Sequence, residues 1–164
     1  MSINLHPATV HFPIAFLLLA SSAGLLYLYW RPLELLRILT WWPMLLGWLG
    51  TLVAMGTGLL AQSGLPPQAP YRTVLNWHIT SGLALGVLYG LLLYWQWLLR
   101  KKPVARKKSS VLATSPDLPP ADLLQRPEAR LRLTLLLLVG IGLVLASGWN
   151  GGQLVYTWGV NVMP

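Results

Sequence analysis

Residues 12–30 read FPIAFLLLASSAGLLYLYW and stop at Arg31. No charge interrupts the stretch, and at 1.5 Å per residue a helix of about 20 apolar residues crosses roughly 30 Å of hydrocarbon. Three further uncharged stretches flank it along the chain. One lies between Arg37 and Arg72 and is most apolar over about 39–61; one runs from Thr73 to Leu99 and ends at Arg100; one follows Arg132. The spacing predicts spans at about 12–30, 39–61, 75–99 and 132–150, the last closed by Gly151-Gly152. The expected fold is all-α: an integral membrane four-helix up-down bundle, a single domain over residues 1–164, with a basic loop at 100–131 and a C-terminal segment at 151–164 lying across one mouth.

Composition agrees. The 164 residues are 55% hydrophobic and 10% charged, with a mean hydropathy of +0.58. Soluble domains carry about 25% charged residues, and a fold of this size could not hide so much apolar surface from water. An ordinary soluble enzyme and a disordered chain are both excluded. The chain has no cysteine, so disulfides, thiolate-bound metal, iron–sulfur clusters and covalently attached haem are excluded too.

The net charge of +8 is concentrated in two connections. Arg72 is the only Lys or Arg on the side that holds the N-terminus, the second connection and the C-terminus. The other eleven, from Arg31 and Arg37 through Arg100–Lys108 to Arg126, Arg130 and Arg132, lie opposite. The positive-inside rule then puts both termini outside, in a bacterial cytoplasmic membrane or its equivalent. Trp30, Trp41, Trp42, Trp95 and Trp97 are expected in an inner aromatic belt, and Trp77, Trp149 and Trp158 in an outer one. The first ten residues lack a basic start and a cleavage site, so the first span is expected to be retained. The basic loop, with the run Arg100–Lys108 and the prolines Pro103, Pro116, Pro119, Pro120 and Pro127, reads as an unstructured segment drawn to anionic lipid headgroups. Without interleaved aromatic residues it does not read as a nucleic-acid surface.

The chain has three histidines, and the same arithmetic places them in one layer. His11 lies 20 residues before Arg31 and His78 lies 22 before Arg100, so each stands about 30 Å from the inner boundary. His6 lies slightly further out, and Gln62, Asn76 and Asn150 share the layer. A continuous helix turns His6 and His11 about 140° apart; a helix starting afresh at Pro13 would let both point inward. In an up-down bundle the first and third spans are diagonal, so His11 and His78 can face each other. Below His78, Gly82, Gly86 and Gly90 recur at intervals of four on one helical face. That stripe suits a small-residue packing seam, matched by Gly50, Ala54 and Gly58, and it equally suits a groove for a flat macrocycle.

The block His6-Pro7-Ala8-Thr9-Val10-His11-Phe12-Pro13-Ile14-Ala15 and the closing block Gly151-Gly152-Gln153-Leu154-Val155-Tyr156-Thr157-Trp158-Gly159-Val160-Asn161-Val162 are similar to those of a bacterial four-span membrane family. It is catalogued as a domain of unknown function, number twenty-two thirty-one. The resemblance covers about residues 3–162 and includes a histidine near the start of the third span, His78 here. Asn161 stands where members often carry glycine, and the basic loop is longer than usual. Related domains occur beside Rieske-type or cytochrome c domains, which implies, by association, a role near membrane electron transfer.

Three functions compete. The leading one is a cofactor-free accessory or assembly subunit of a membrane complex, using its glycine seams against other membrane subunits. The second is a b-type haem protein with His11 and His78 as axial ligands, His6 as a supporting partner, Gly82 and Gly86 beneath the ring and Arg72 at a propionate. The third is an outer metal site of His6, His11 and His78, suited to zinc or copper. Glu34, Asp117, Asp122 and Glu128 all lie at the basic end. No carboxylate is placed to orient an outer histidine, and the reading leans away from an enzyme.

Overall fold

The computed structural model describes residues 5–101 and 122–160, which are helical with no strand among them. A short helix α1 (Leu5–Thr9) leads into α2 (His11–Tyr29), followed by α3 (Glu34–Gln62), α4 (Arg72–Lys101) and α5 (Arg130–Tyr156). Four segments, His6–Tyr29, Glu34–Gln62, Arg72–Arg100 and Pro127–Tyr156, are long and apolar enough to cross a membrane. Many of their large apolar side chains point outward, among them Leu60, Val87, Leu91 and Leu145. A helix apolar all round is one whose outer face meets lipid, and a helix satisfies every backbone group within itself, as the hydrocarbon demands.

The helices form a ring. α2 packs on α3 and α5, and α4 packs on α5 and α3, leaving α2 and α4 diagonal. Glycines permit the close approaches. Gly47 of α3 receives Leu17 of α2 and Gly50 receives Pro13, while Gly140 of α5 lies against the ring of Tyr89. Tyr89 and Ser21 are fully buried and share a 2.7 Å hydrogen bond across the diagonal. Tyr89→Phe should lower stability by about 0.6–1 kcal/mol, the usual worth of one such bond between membrane helices. Chemical denaturation in detergent checks this; an unchanged midpoint would mean the pair contributes only packing.

Three expectations change. The helices outrun the uncharged windows, because Glu34, Arg37 and Arg72 sit in end turns where charges reach the interface. α5 does not stop at Gly151-Gly152 but runs through both to Tyr156. The turn comes at Gly159, whose φ of 61° is left-handed. There Val160 N–H donates to Leu154 O and Gly159 N–H to Val155 O, with Val160 and Leu154 packed together, the glycine-ended helix cap expected of such a φ. Trp41 leaves the lipid belt: it is buried, whereas Trp30, Trp42, Trp77, Trp97, Trp149 and Trp158 are exposed. The expectations for Lys102–Lys108, Pro103, Pro116, Asp117, Pro119, Pro120 and Asn161–Val162 lie outside the described residues.

Candidate functional site

Pro13 has no N–H to offer the preceding turn, and the helix breaks just before it, at Val10. The break is slight. Val10 keeps helical angles (φ −71°, ψ −23°), Val10 N–H still reaches His6 O and Ile14 N–H reaches Val10 O. Helical phase is therefore carried across the break, and two residues five apart stay on different faces. His6 turns inward against α3, and His11 turns outward and is exposed. The expected pairing of His11 with His78 is replaced by a pairing of His6 with His78, whose ring centres are 6.0 Å apart with planes at 82°.

Each ring is seated on a glycine of a neighbouring helix. A Cβ on Gly58 of α3 would lie 2.9 Å from His6 Cε1, and one on Gly151 of α5 would lie 3.0 Å from His78 Cε1. Each ring is also held by one nitrogen. His78 Nδ1 lies 3.0 Å from Ser147 O; a carbonyl only accepts, so Nδ1 carries the proton. His6 Nδ1 lies 3.1 Å from Thr57 Oγ1, and the Thr57 hydroxyl donates its single proton to Ala54 O at 3.1 Å. With that proton on Ala54 O, Thr57 can accept from His6 Nδ1–H. Thr9 reinforces the corner, donating to His6 O at 2.9 Å and lying 3.3 Å from Thr57 Oγ1. Nε2 of His78 therefore carries a lone pair, and Nε2 of His6 carries one in the tautomer that donates to Thr57.

The remaining expected residues do other work. Arg72 donates to the carbonyls of Leu65, Pro66 and Pro67, clamping the 63–71 connection across the mouth. Along α4, Gly82 meets open space, but Gly86 faces Met55 Sδ at 3.4 Å and Gly90 faces Trp48 Nε1 at 3.0 Å. Trp48 also donates to Gly86 O at 2.9 Å. α3 closes the stripe at Gly86 and Gly90, Gly82 stays open, and His11 is exposed. Asn150 bonds back to Ala146 of its own helix. Among the described residues no group of three His, Cys, Asp or Glu side chains forms a metal cluster.

Thr57, Gly58, Ser147 and Gly151 were not foreseen as site residues. A signal existed for the last two: Ser147 and Gly151 are four apart, a small polar residue and a glycine on one helical face.

The opposite end carries a second buried polar cluster. Asp122 is 4% exposed. It accepts from Trp41 Nε1 at 3.0 and 3.1 Å, from Arg37 Nη1 at 3.1 Å and from Leu124 N at 3.0 Å. Arg37 also forks onto Glu34. The short turn Leu123–Gln125 that Asp122 starts is tucked into the bundle, with Leu123 N–H donating to Gln96 Oε1 at 2.9 Å. This carboxylate holds structure and stands at the far end from the histidines.

A family model described as "Predicted membrane protein (DUF2231)" matches residues 2–164. No curated protein and no solved structure matches the chain.

Proposed function

The chain belongs to the DUF2231 family of predicted membrane proteins, and from that premise we propose that it is a multi-pass membrane protein that takes up a zinc or copper ion between His6 and His78. The supporting observation is the ring pair. Two imidazoles sharing one ion through nitrogens about 2.0–2.1 Å from it have ring centres roughly 5.2 Å apart at a tetrahedral angle and roughly 6.3 Å apart when collinear. The separation here is 6.0 Å. Both Nδ1 atoms are engaged by a carbonyl or a hydroxyl, the outer support that orients a ligating histidine and leaves Nε2 to the metal. Two protein ligands leave coordination positions for exchangeable groups, which suits uptake and handover rather than a closed structural site. An accessory-subunit role would draw on the glycine seams, which are engaged inside this chain at Gly47, Gly50, Gly86 and Gly90.

The charge asymmetry supports an orientation in a bacterial inner membrane with the basic end in the cytoplasm and both termini outside. The histidine pair then opens to the outer side.

Protein purified in detergent, loaded with zinc or copper and desalted, should retain one ion per chain by elemental analysis. His6→Ala and His78→Ala should each lose it, and His11→Ala should keep it. Wild-type protein without stoichiometric metal would refute the reading. So would an absorption spectrum with a Soret band that disappears in His78→Ala, which would favour haem instead.

A further inference from the structure

Resting on the metal reading, we infer that the ion held between His6 and His78 is monovalent copper, bound by two imidazole nitrogens and no other protein group. The charge at this end of the bundle and the separation of the rings carry the inference.

Histidine binds a metal as the neutral imidazole, so the two rings offset none of the ion's charge. No described acid stands near them. Glu34 opens α3, Asp122 starts the Leu123–Gln125 turn and Glu128 lies in the turn before α5, all at the far end. The charge that does stand at this end is positive. Arg72 begins α4 six residues before His78, about 9 Å along the axis, and the carbonyls of Leu65, Pro66 and Pro67 hold it there. Both rings are half-buried, so an ion between them gives up part of its water. Repulsion from Arg72 scales with the ion's charge, and the cost of leaving water scales with its square. Zinc and divalent copper therefore meet about twice the repulsion and about four times the desolvation cost of a monovalent ion of the same size. Zinc sites commonly offset such charge with thiolate or carboxylate ligands. This chain has no cysteine, and no third His, Cys, Asp or Glu among the described residues joins the pair.

The separation points the same way. For two rings that share one ion, centres 6.0 Å apart correspond to an angle of about 145° at the ion. That is far wider than the tetrahedral angle of four-coordinate zinc, and divalent copper takes a tetragonal set of nitrogen and oxygen donors. Monovalent copper has a filled d shell and is satisfied by two nitrogen donors at a wide angle. The planes of the two rings stand at 82°, which keeps their C–H edges clear of each other on either side of such an ion.

The test loads the full chain in detergent, under ascorbate and without oxygen, with an equimolar mixture of monovalent copper and zinc. After desalting, the protein should hold one copper per chain and at most a tenth as much zinc, and X-ray absorption at the copper edge should find two nitrogen ligands. Zinc retained in preference to copper, or copper with four ligands, would overturn the inference while leaving the metal reading intact. Wild-type protein that retains neither ion refutes the metal reading, and the inference with it. Gln62→Glu tests the charge argument separately. Gln62 lies four residues beyond Gly58 on α3, one turn further along the same face, so a carboxylate there should shift the zinc-to-copper ratio about tenfold toward zinc. An unchanged ratio would show that charge does not select the ion.

Discussion

Asp122→Ala is expected to destabilise the protein by about 2–4 kcal/mol, chiefly the cost of two buried N–H donors, Trp41 Nε1 and Leu124 N, left without their acceptor. Both carboxylate oxygens are used. Trp41, buried at 7% exposure, loses the acceptor for its indole N–H, Leu124 loses the cap on its N–H, and Arg37 loses one of two partners. In the alanine variant neither water nor lipid readily replaces them, because the turn Leu123–Gln125 closes this end of the bundle and both leucines are buried. A buried donor left unmatched costs about 1–3 kcal/mol by itself. Asp122→Asn, which keeps one carbonyl oxygen of the same shape, should lose less than half as much. Denaturation in detergent followed by tryptophan fluorescence reads both variants. A midpoint for Asp122→Ala within experimental error of wild type would show that the turn does not hold the bundle end. The metal content of whatever fraction folds should be unchanged, since Asp122 lies at the other end from the histidines.

Gly58→Ala should do the opposite, sparing the fold and emptying the site. The new methyl would meet His6 at 2.9 Å from Cε1, 3.3 Å from Nδ1 and 3.4 Å from Nε2. The imidazole is the free end of a two-torsion side chain, so it is the group that moves. Turning it aside breaks the bond to Thr57 and changes how the ring meets that of His78. Loss of an orienting contact of this kind typically costs about 10–100-fold in metal affinity. Gly56→Ala, where a Cβ meets nothing within 4 Å, is the matched control and should bind as wild type does. Equal affinity in all three proteins would mean that the seat on Gly58 does not position His6. The prediction rests on the proposed metal role. His6→Ala separates the two failures, because metal retained without His6 refutes the role itself.

The two ends of the molecule differed in how readable they were. The basic end announced its charge in Arg100–Lys108, Arg126 and Arg130, yet nothing local in Ala121-Asp122-Leu123-Leu124 says that this carboxylate enters the core. Its partners Arg37 and Trp41 are more than 80 residues away. At the histidine end, depth was legible because residues per turn and rise per residue convert sequence distance directly into height. Facing was not. The inward turn of His6 in place of His11 depends on whether the break at Val10 resets helical phase, and a proline two or three residues on does not settle that. Gly151 illustrates the same gap: a double glycine permits a chain reversal or a close approach, and the neighbouring helix decided for the approach by placing the His78 ring on it.

What could be known before any coordinates were the four spans, the all-helical class, the membrane environment and the layer in which the histidines lie. Each follows from apolar run length, which is a local quantity. The pairing of His6 with His78, the closing of the Gly86–Gly90 stripe by Met55 and Trp48, and the burial of Asp122 came only from the tertiary structure. They depend on the rotation of one helix against another. In a lipid-exposed bundle that rotation is written weakly in hydropathy, because the face toward lipid is as apolar as the face toward protein.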